Sequence, residues 1–190
     1  MSKIDAILEF WFEGIDDTSL LDTKTMPCKK WFKQDPVFDE EIRRNFETDL
    51  LAAGAGERQE WEHFPRGILA LIILYDQFSR NIYRHQDRMY AYDAKALSLT
   101  MRILEEKQEK EFSLIERAFI YLPLMHSEEM NLQKLSLGKY KHLLEESKSV
   151  NPLNRGYYEY TLKYAQEHHD TICGHGRFPY RDKIFNRTVG

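Results

Sequence analysis

Two arginine-rich segments carry most of the chemistry that the sequence suggests. Close to the end of the chain, residues 176–182 read Gly-Arg-Phe-Pro-Tyr-Arg-Asp, so that Pro179 fixes the backbone between Arg177 and Arg181. Arginine is the side chain that captures a carboxylate or phosphate through two parallel hydrogen bonds. These residues therefore predict an anion-binding turn. The alternative is structural: the same two guanidinium groups would pair with acids of the protein and latch the tail onto the helices.

The second cluster ends a very apolar helical segment. Asp76, Arg80 and Arg84 are spaced four residues apart and so share one helical face, while Gln77 and Asn81 form a polar row beside them. Amide side chains suit a directed hydrogen-bond network more than simple solubility. We predict that this cluster joins the C-terminal arginines in one ligand-binding site. A solvated helix end, in which Asp76 pairs with Arg80, is the plainer interpretation.

Histidines next to carboxylates supply the candidates for proton transfer. His126 and Glu129 lie three residues apart and would face one another on a helix, a spacing that suits proton transfer or metal binding. A stable metal site needs about three or four ligands, so we predict no metal site here. A helix cap or a structural hydrogen-bond network is the competing interpretation of His126.

A second histidine segment closes the last long helix. His168 and Asp170 lie about 200° apart on a regular helix, so both face one site only if the helix is distorted. Histidines in a final turn also complement the helix dipole, which is the plainer interpretation. In the catalytic hypothesis, His126 or His168 transfers the proton, and Glu128 or Asp170 tunes the imidazole.

Composition and charge limit the class of protein. The 190 residues, 42% of them hydrophobic, suffice for one domain over residues 1–190 with a full core. A net charge of -4 gives no reason to expect binding to nucleic acid or to membranes. The N-terminus lacks a signal-peptide layout, and the longest apolar run, Ile68 to Tyr75, is too short to span a bilayer. We therefore expect a cytoplasmic protein, and Cys28 and Cys173 match no metal spacing or disulfide framework.

The elements that must position these side chains are helices. Apolar residues recur with a helical period almost everywhere, and no segment has the pattern of a strand. Short loops favour antiparallel neighbours, so the predicted fold class is all-α, with about seven or more antiparallel helices in a helical-hairpin array. Residues 13–34 are predicted to be irregular and anchored by Trp31 and Phe32. The predicted helices begin at Ile4, at Asp35–Pro36 (ending at Gly54), at Pro65, before Ala96, at the Ser113 capping box (interrupted near Pro123), near Glu128 (to Ser147) and near Arg155 (to a Gly174 cap).

Three segments together resemble a known family. Residues 68–84, which end in LYDQFSRNIYR, resemble the signature LALIILLDQFPRNIYR of the DUF924 family. Residues 122–128 (LPLMHSE) resemble its LPLEHSE, and residues 168–182 resemble its HRDII…GRFPHRN. The resemblance covers nearly the whole chain, in order. It implies an all-α fold similar to tetratricopeptide-like helical arrays, and it implies no activity because the family is one of unknown function.

The family's polar signature falls on residues spread over the whole chain: Asp76, Gln77, Arg80, Asn81, Arg84, His126, Ser127, Glu128, His168, Asp170, Arg177 and Arg181. Two departures from the family pattern matter. Ser79 stands where the family has proline, so we expect the helix to run on more regularly there. Met125 replaces a glutamate, which removes one acid from any carboxylate pair and counts against metal chemistry.

These observations lead to competing functional hypotheses. We predict that the chain binds a small anionic molecule, a carboxylate or phosphate, in a pocket lined by arginine, histidine and aspartate. If a reaction occurs, we expect acid–base or hydrolytic chemistry that needs no organic cofactor. The alternative is a tetratricopeptide-like scaffold that recognises an acidic peptide. A third interpretation makes the signature architectural, and the hypotheses differ in whether the guanidinium groups of Arg177 and Arg181 are already satisfied inside the protein.

Overall fold

The structure is a computed structural model that describes residues 1–24 and 28–187. Residues 25–27, which fall inside the predicted irregular stretch, lie outside the described part. The described chain is all-α, as predicted, and contains no strand. Four 3₁₀ turns connect helices: Gln59–His63, Asp87–Tyr90, Gln108–Glu111 and Pro152–Asn154. The α-helices are α1 (Lys3–Phe12), α2 (Cys28–Phe32), α3 (Pro36–Gly54), α4 (Pro65–Ile72), α5 (Ser79–Ile82), α6 (Asp93–Glu105), α7 (Leu114–Ile120), α8 (Leu122–Met125), α9 (Met130–Val150), α10 (Arg155–His175) and α11 (Pro179–Asp182).

Two of the predicted helix starts are confirmed by capping side chains. Asp35 caps α3, and Pro36 occupies its first turn, where the missing N–H costs no hydrogen bond. Ser113 and Glu116 form the predicted capping box at the start of α7. Because these signals are local, they fix the starts of the helices independently of the tertiary packing.

Two helix ends show how well local signals predict a stop. The interruption near Pro123 is confirmed, since α7 ends at Ile120 and α8 begins at Leu122. The predicted cap of α10 is wrong: Gly174 continues the helix, and Gly176 ends it with a φ of 68°. Glycine adopts this left-handed conformation without a steric penalty, so either residue fitted the sequence pattern.

The central helix is not regular, contrary to the expectation from Ser79. Residues Ile73–Phe78 form a π-helical segment between α4 and α5, and the backbone N–H of Ser79 donates to the carbonyl of Leu74, five residues earlier. The Ser79 hydroxyl donates to the Tyr75 carbonyl at 2.5 Å. A buried hydroxyl thus satisfies a carbonyl in the widened turn. The π segment carries Asp76, the first residue of the predicted polar cluster.

The core is built around this central helix. Helices α1 and α3 contact the π segment, and α6 and α7 pack against α4. Trp11 contacts both Phe78 and Phe119 edge to face, with ring centres 5.5 and 5.6 Å apart. Trp31 lies 5.0 Å from Phe119, which confirms its predicted anchoring role, whereas Phe32 is 36% exposed. The short helix α2 is therefore fixed to the core by its tryptophan and presents its next residues outward.

The two longest helices at the C-terminal end form a hairpin. Helices α9 and α10 contain 21 residues each and pack against one another on either side of a short connection, residues 151–154. A longer tetratricopeptide-like order of hairpins stays a prediction. Among the described helices, none combines the length and the apolar character that crossing a bilayer requires.

Gly67, near the start of α4, touches the preceding 3₁₀ turn so closely that no side chain fits. A Cβ atom at this position would lie 2.1 Å from the carbonyl oxygen of Trp61, which is backbone and cannot rotate away. We expect Gly67→Ala to lower the free energy of unfolding by about 2–4 kcal/mol, measured by urea denaturation. Gly138→Ala is the matched control, because Gly138 is exposed inside α9 with nothing within 4 Å of the added atom. The control should gain about 0.5–1 kcal/mol, and unchanged stability of Gly67→Ala would contradict the tight contact.

Candidate functional site

The centre of the candidate site is a hydrogen-bonded pair, Asp76 and His126, from distant parts of the chain. Asp76 lies in the π segment, and His126 forms the C-terminal cap of α8. The Oδ1 atom of Asp76 lies 2.7 Å from Nδ1 of His126. An ionised carboxylate only accepts hydrogen bonds, so Nδ1 of the imidazole must carry the proton. This contact fixes the tautomer of His126 and leaves the lone pair on Nε2.

Asp76 is ionised although its side chain is only 1% exposed. Burial alone raises the pKa of this carboxyl group, but the charge of Arg80 and the hydrogen bonds from His126 and Gln77 outweigh it, and the pKa falls to about 2. Gln77 Nε2 donates to Oδ2 of Asp76 at 2.5 Å, and Arg80 Nη1 lies 3.4 Å from Oδ1. Both carboxylate oxygens are therefore engaged, and the buried charge is compensated on each side.

His126 is held neutral with one ring nitrogen unengaged. Burial lowers the pKa of its imidazole and prevails over the opposing effect of Asp76. Its Nε2 atom has no hydrogen-bond partner among the described residues, and 15% of the side chain is exposed. A neutral imidazole that a carboxylate orients through Nδ1, with Nε2 unengaged, has the arrangement of a general base.

His168 adds a second neutral imidazole with the same tautomer. Its Nδ1 donates to the carbonyl of Tyr164 at 2.9 Å, and its ring centre lies 6.1 Å from that of His126. Burial, together with the neighbouring His126, lowers the pKa of His168 to about 4. At neutral pH both imidazoles therefore keep an unprotonated Nε2 atom.

A cavity of about 300 Å³, here called the cationic cavity, is lined by both imidazoles. Gln34, Gln77 and Asn81 supply amide groups to its wall. In the part of the chain that the structure describes, its charged lining side chains are all cations: Lys30, Lys33, Arg80 and Arg84. Four aromatic rings also line it: Trp31, Phe32, Phe119 and Tyr164. The combination suits an anionic ligand with an apolar part.

The two arginines of the cationic cavity are paired with acids of the protein. Arg84 donates from Nε and Nη2 to Asp39 at 2.6 and 2.7 Å, and Asn81 donates to the same carboxylate at 2.7 Å. Arg80 donates to both oxygens of Asp93 at 2.9 and 3.1 Å. These bidentate pairs fix the guanidinium planes. An entering anion would meet only the remaining N–H groups, such as Nη1 of Arg84, which has no partner among the described residues.

The two lysines of the cationic cavity differ in whether their ammonium groups are bonded to other groups of the protein. Lys30 is buried and donates both to the carbonyl of Phe10, at 2.8 Å, and to the carboxylate of Glu13. Lys33 is exposed and makes no side-chain ion pair or hydrogen bond within the described residues. Lys33 is therefore the lining cation whose charge is uncompensated.

The C-terminal segment clamps the loop that carries His126. Arg181 Nη2 donates to the carbonyl of His126 at 2.9 Å. Glu128 accepts from the backbone N–H of Phe178 and from Nη1 of Arg187, each at 2.9 Å. Burial raises the pKa of Glu128, but these two donors prevail and lower it, so this carboxylate stays charged and cannot donate a proton at neutral pH. The tail thus acts as a latch on the imidazole loop.

A second cavity, of about 180 Å³, also borders His126. Its charged lining is mixed, with Asp76, Asp93 and Glu128 beside Arg181. Arg181 is buried there, and its Nε has no hydrogen-bond partner in the described chain. Because carboxylates predominate, this second cavity does not favour an anionic ligand.

The structure separates other predicted site residues from the cationic cavity. Arg177 donates from Nε to both oxygens of Asp182, at 2.9 and 3.0 Å, and lines neither of the two cavities described above. Asp170 is exposed and accepts from Gln166. The helical pairing of His126 with Glu129 is wrong, because the chain leaves α8 at His126 and Glu129 caps the next helix, exposed to solvent.

The sequence-based prediction missed two groups of residues: the acids Asp39 and Asp93, which hold the arginines, and the cavity lysines Lys30 and Lys33. Asp39 lies in the first turn of α3 and Asp93 at the start of α6, where acids are ordinary because they favour the helix dipole. Lys33 lies two residues after Trp31, which the sequence predicts to be anchored in the core. This anchor was the one sequence signal that could have indicated where Lys33 lies. Among the described residues no group of three or more histidine, cysteine, aspartate or glutamate side chains could hold a metal ion, and the two imidazoles alone supply two ligands.

The fold and the site define an all-α protein with a buried carboxylate–histidine pair beside a cationic cavity. The model of the family DUF924, described as a bacterial protein of unknown function, matches residues 7–189, and the chain belongs to this family. The solved structure of ATU0120, a protein of unknown function from Agrobacterium tumefaciens, is similar, with a TM-score of 0.77 and 29% sequence identity. The similarity covers 98% of this chain and 92% of that one. No curated protein matches the sequence.

The lowered pKa of His168 makes the stability of the fold depend on pH. Its pKa is 6.5 in the unfolded reference and about 4 in the folded protein, so the unfolded state binds more protons between these values. We expect the free energy of unfolding to fall as the pH drops from 6.5 to about 4, by about 1–3 kcal/mol from this residue. His168→Phe, which keeps a ring against Phe178, should flatten that slope, whereas His63→Gln at an exposed position should not. Urea denaturation across this range measures both, and an unchanged slope in His168→Phe would refute the assignment.

Proposed function

We propose that this protein binds a small anionic molecule, carrying a carboxylate or a phosphate, in the cationic cavity and acts on it by acid–base or hydrolytic chemistry. One observation carries the proposal: His126, whose Nε2 is unprotonated and unengaged, lines a cavity whose charged lining, over the described residues, is cationic. Asp76 orients this imidazole through the opposite nitrogen. A base that faces a site for anions is suited to substrates that carry a fixed negative group.

Binding would rest on one free charge and on preorganised donors. Lys33 supplies the uncompensated cation, and Nη1 of Arg84 an unengaged N–H group. The pairing of Arg84 with Asp39 reduces its net field, but it also fixes the guanidinium plane before the ligand arrives. A donor that is already oriented loses little conformational entropy when it binds. Moderate affinity and defined geometry follow from this arrangement.

In the proposed chemistry His126 is the proton acceptor. For hydrolysis, the oxygen of a water molecule forms a bond to the carbonyl carbon or phosphorus of the ligand while its proton passes to Nε2 of His126. The leaving group then departs with that proton, which restores the neutral imidazole. Asp76 stabilises the transient imidazolium, because its carboxylate is ionised and lies 2.7 Å from Nδ1.

The scaffold hypothesis is less well supported by the same contacts. An acidic peptide would need exposed, unpaired guanidinium groups along a groove. Arg177 is bonded to Asp182, and Arg181 is buried against the His126 loop. Lys33, whose charge is uncompensated, lines instead a cavity of about 300 Å³, the size range of a small molecule.

Lys33 provides the test of anion binding. We expect acetate or inorganic phosphate to bind the wild-type protein, and Lys33→Ala to weaken that binding about fivefold, since an accessible charge contributes about 1 kcal/mol. Lys29→Ala is the matched control, because Lys29 is exposed like Lys33, lies four residues before it and does not line the cationic cavity. Titration calorimetry at low salt measures all three proteins. Absence of binding to wild type, or equal losses in both variants, would overturn the proposed site.

His126→Gln tests the chemistry separately from binding. Glutamine keeps a polar side chain at this position but cannot accept a proton near neutral pH. In a screen of carboxylic and phosphoric esters, we expect turnover by the wild-type protein to rise with pH through an apparent pKa below 6.5 and then level off, because burial lowers the pKa of His126. The variant should bind inorganic phosphate within about threefold of wild type and lose turnover by about 10²–10⁴-fold. Turnover that persists in the variant with the same pH profile would exclude His126 as the base.

A further inference from the structure

A small apolar hollow continues from the cationic cavity. The two spaces share five lining residues: Phe32, Phe119, Leu122, Met125 and Tyr164. Beyond this shared wall the hollow is enclosed by Ala118, Tyr140, Tyr157 and Thr161. No charged side chain lines it among the described residues. A ligand that enters the cationic cavity therefore meets carbon surface on one side.

Two of the four hydroxyl groups on residues that line the hollow donate to the backbone. The hydroxyl of Tyr140 donates to the carbonyl of Ala118 at 2.6 Å. The hydroxyl of Thr161 donates to the carbonyl of Tyr158 at 3.1 Å, within its own helix. Both hydroxyls donate their hydrogen bonds to backbone carbonyls, so they are not available to donate to a ligand. The hollow thus selects for an apolar group rather than for a second polar one.

The size of the hollow limits what can fill it. Its volume is about 30 Å³, and a space for one water-sized group takes about 10–15 Å³ on the same measure, so it holds about two or three such groups. A chain of two or three carbon atoms matches this size. The shared lining residues place the two spaces side by side.

We propose that the ligand of this protein is a short-chain carboxylate or phosphate whose anionic group lies in the cationic cavity and whose apolar arm, two or three carbon atoms long, fills the hollow. This inference rests on the proposed function, because the cationic cavity must hold the anion first. Thr161 sets the length limit, since its side chain forms part of the hollow and a larger residue would project into it.

A series of straight-chain carboxylates from acetate to octanoate tests the proposal by titration calorimetry. Affinity for wild type should rise about fourfold with each methylene that enters the hollow, and then level off. Thr161→Leu should move the levelling point to a shorter chain by one or two carbons and leave acetate binding unchanged. Thr161→Val is the matched control, because it keeps the volume and removes only the hydroxyl, and it should behave as wild type.

The outcomes separate this inference from the proposed function. Acetate binding with no gain along the series in wild type would overturn the apolar arm and leave the anion site standing. The same conclusion follows if Thr161→Leu is folded, as judged by its thermal melt, and levels off at the same chain length as wild type. If Thr161→Leu does not fold, the wild-type series decides alone, since a gain that continues to octanoate contradicts a hollow of this size. Failure of every carboxylate and of inorganic phosphate to bind wild type would overturn both proposals together.

Discussion

The buried negative charge of Asp76 is the constraint on which the rest of the site depends. A carboxylate that is 1% exposed stays ionised only if its oxygens are paired on all sides. Arg80 and Gln77 come from the same helix, but the third partner, His126, arrives from a loop fifty residues later. That loop must be held in place, and Arg181 holds it by the His126 carbonyl. Losing one partner of a buried charge typically costs about 3–5 kcal/mol, so the tail and the central helix are energetically coupled.

Much of the fold could be predicted from the sequence because its signals are local. The capping box at Ser113 and the proline at the start of α3 each fix a helix start within one turn of chain. The π segment could not be predicted in this way. It depends on Ser79, whose hydroxyl reaches the Tyr75 carbonyl in its own helix and the Met89 carbonyl, at 3.1 Å, ten residues later. Such a bulge depends on tertiary contacts, which the helical spacing of apolar residues in the sequence does not reveal.

The sequence could predict which segments of the chain contribute residues to the candidate site. It could not predict which side chains of those segments pair with one another. Helical spacing predicts only neighbours on one element, and it paired His126 with Glu129, whereas the structure pairs it with Asp76. The arginine partners Asp39 and Asp93 were hidden for a similar reason. An acid at a helix start is already explained by the dipole, so nothing in the sequence marks it as the partner of a distant guanidinium group.

The internal pairs account for the arginines and for His126, which pairs with Asp76, but they do not account for His168. Arg80, Arg84, Arg177 and Arg181 all bond to groups of the protein, as an architectural network requires. His168, however, donates only to a carbonyl of its own helix. Burial lowers the pKa of its imidazole to about 4, so the fold loses stability in acid. The contacts of the C-terminal latch do not require this loss of stability in acid. The proposed ligand site would account for that cost, because it requires neutral imidazoles with unprotonated Nε2 atoms, which the latch holds in place.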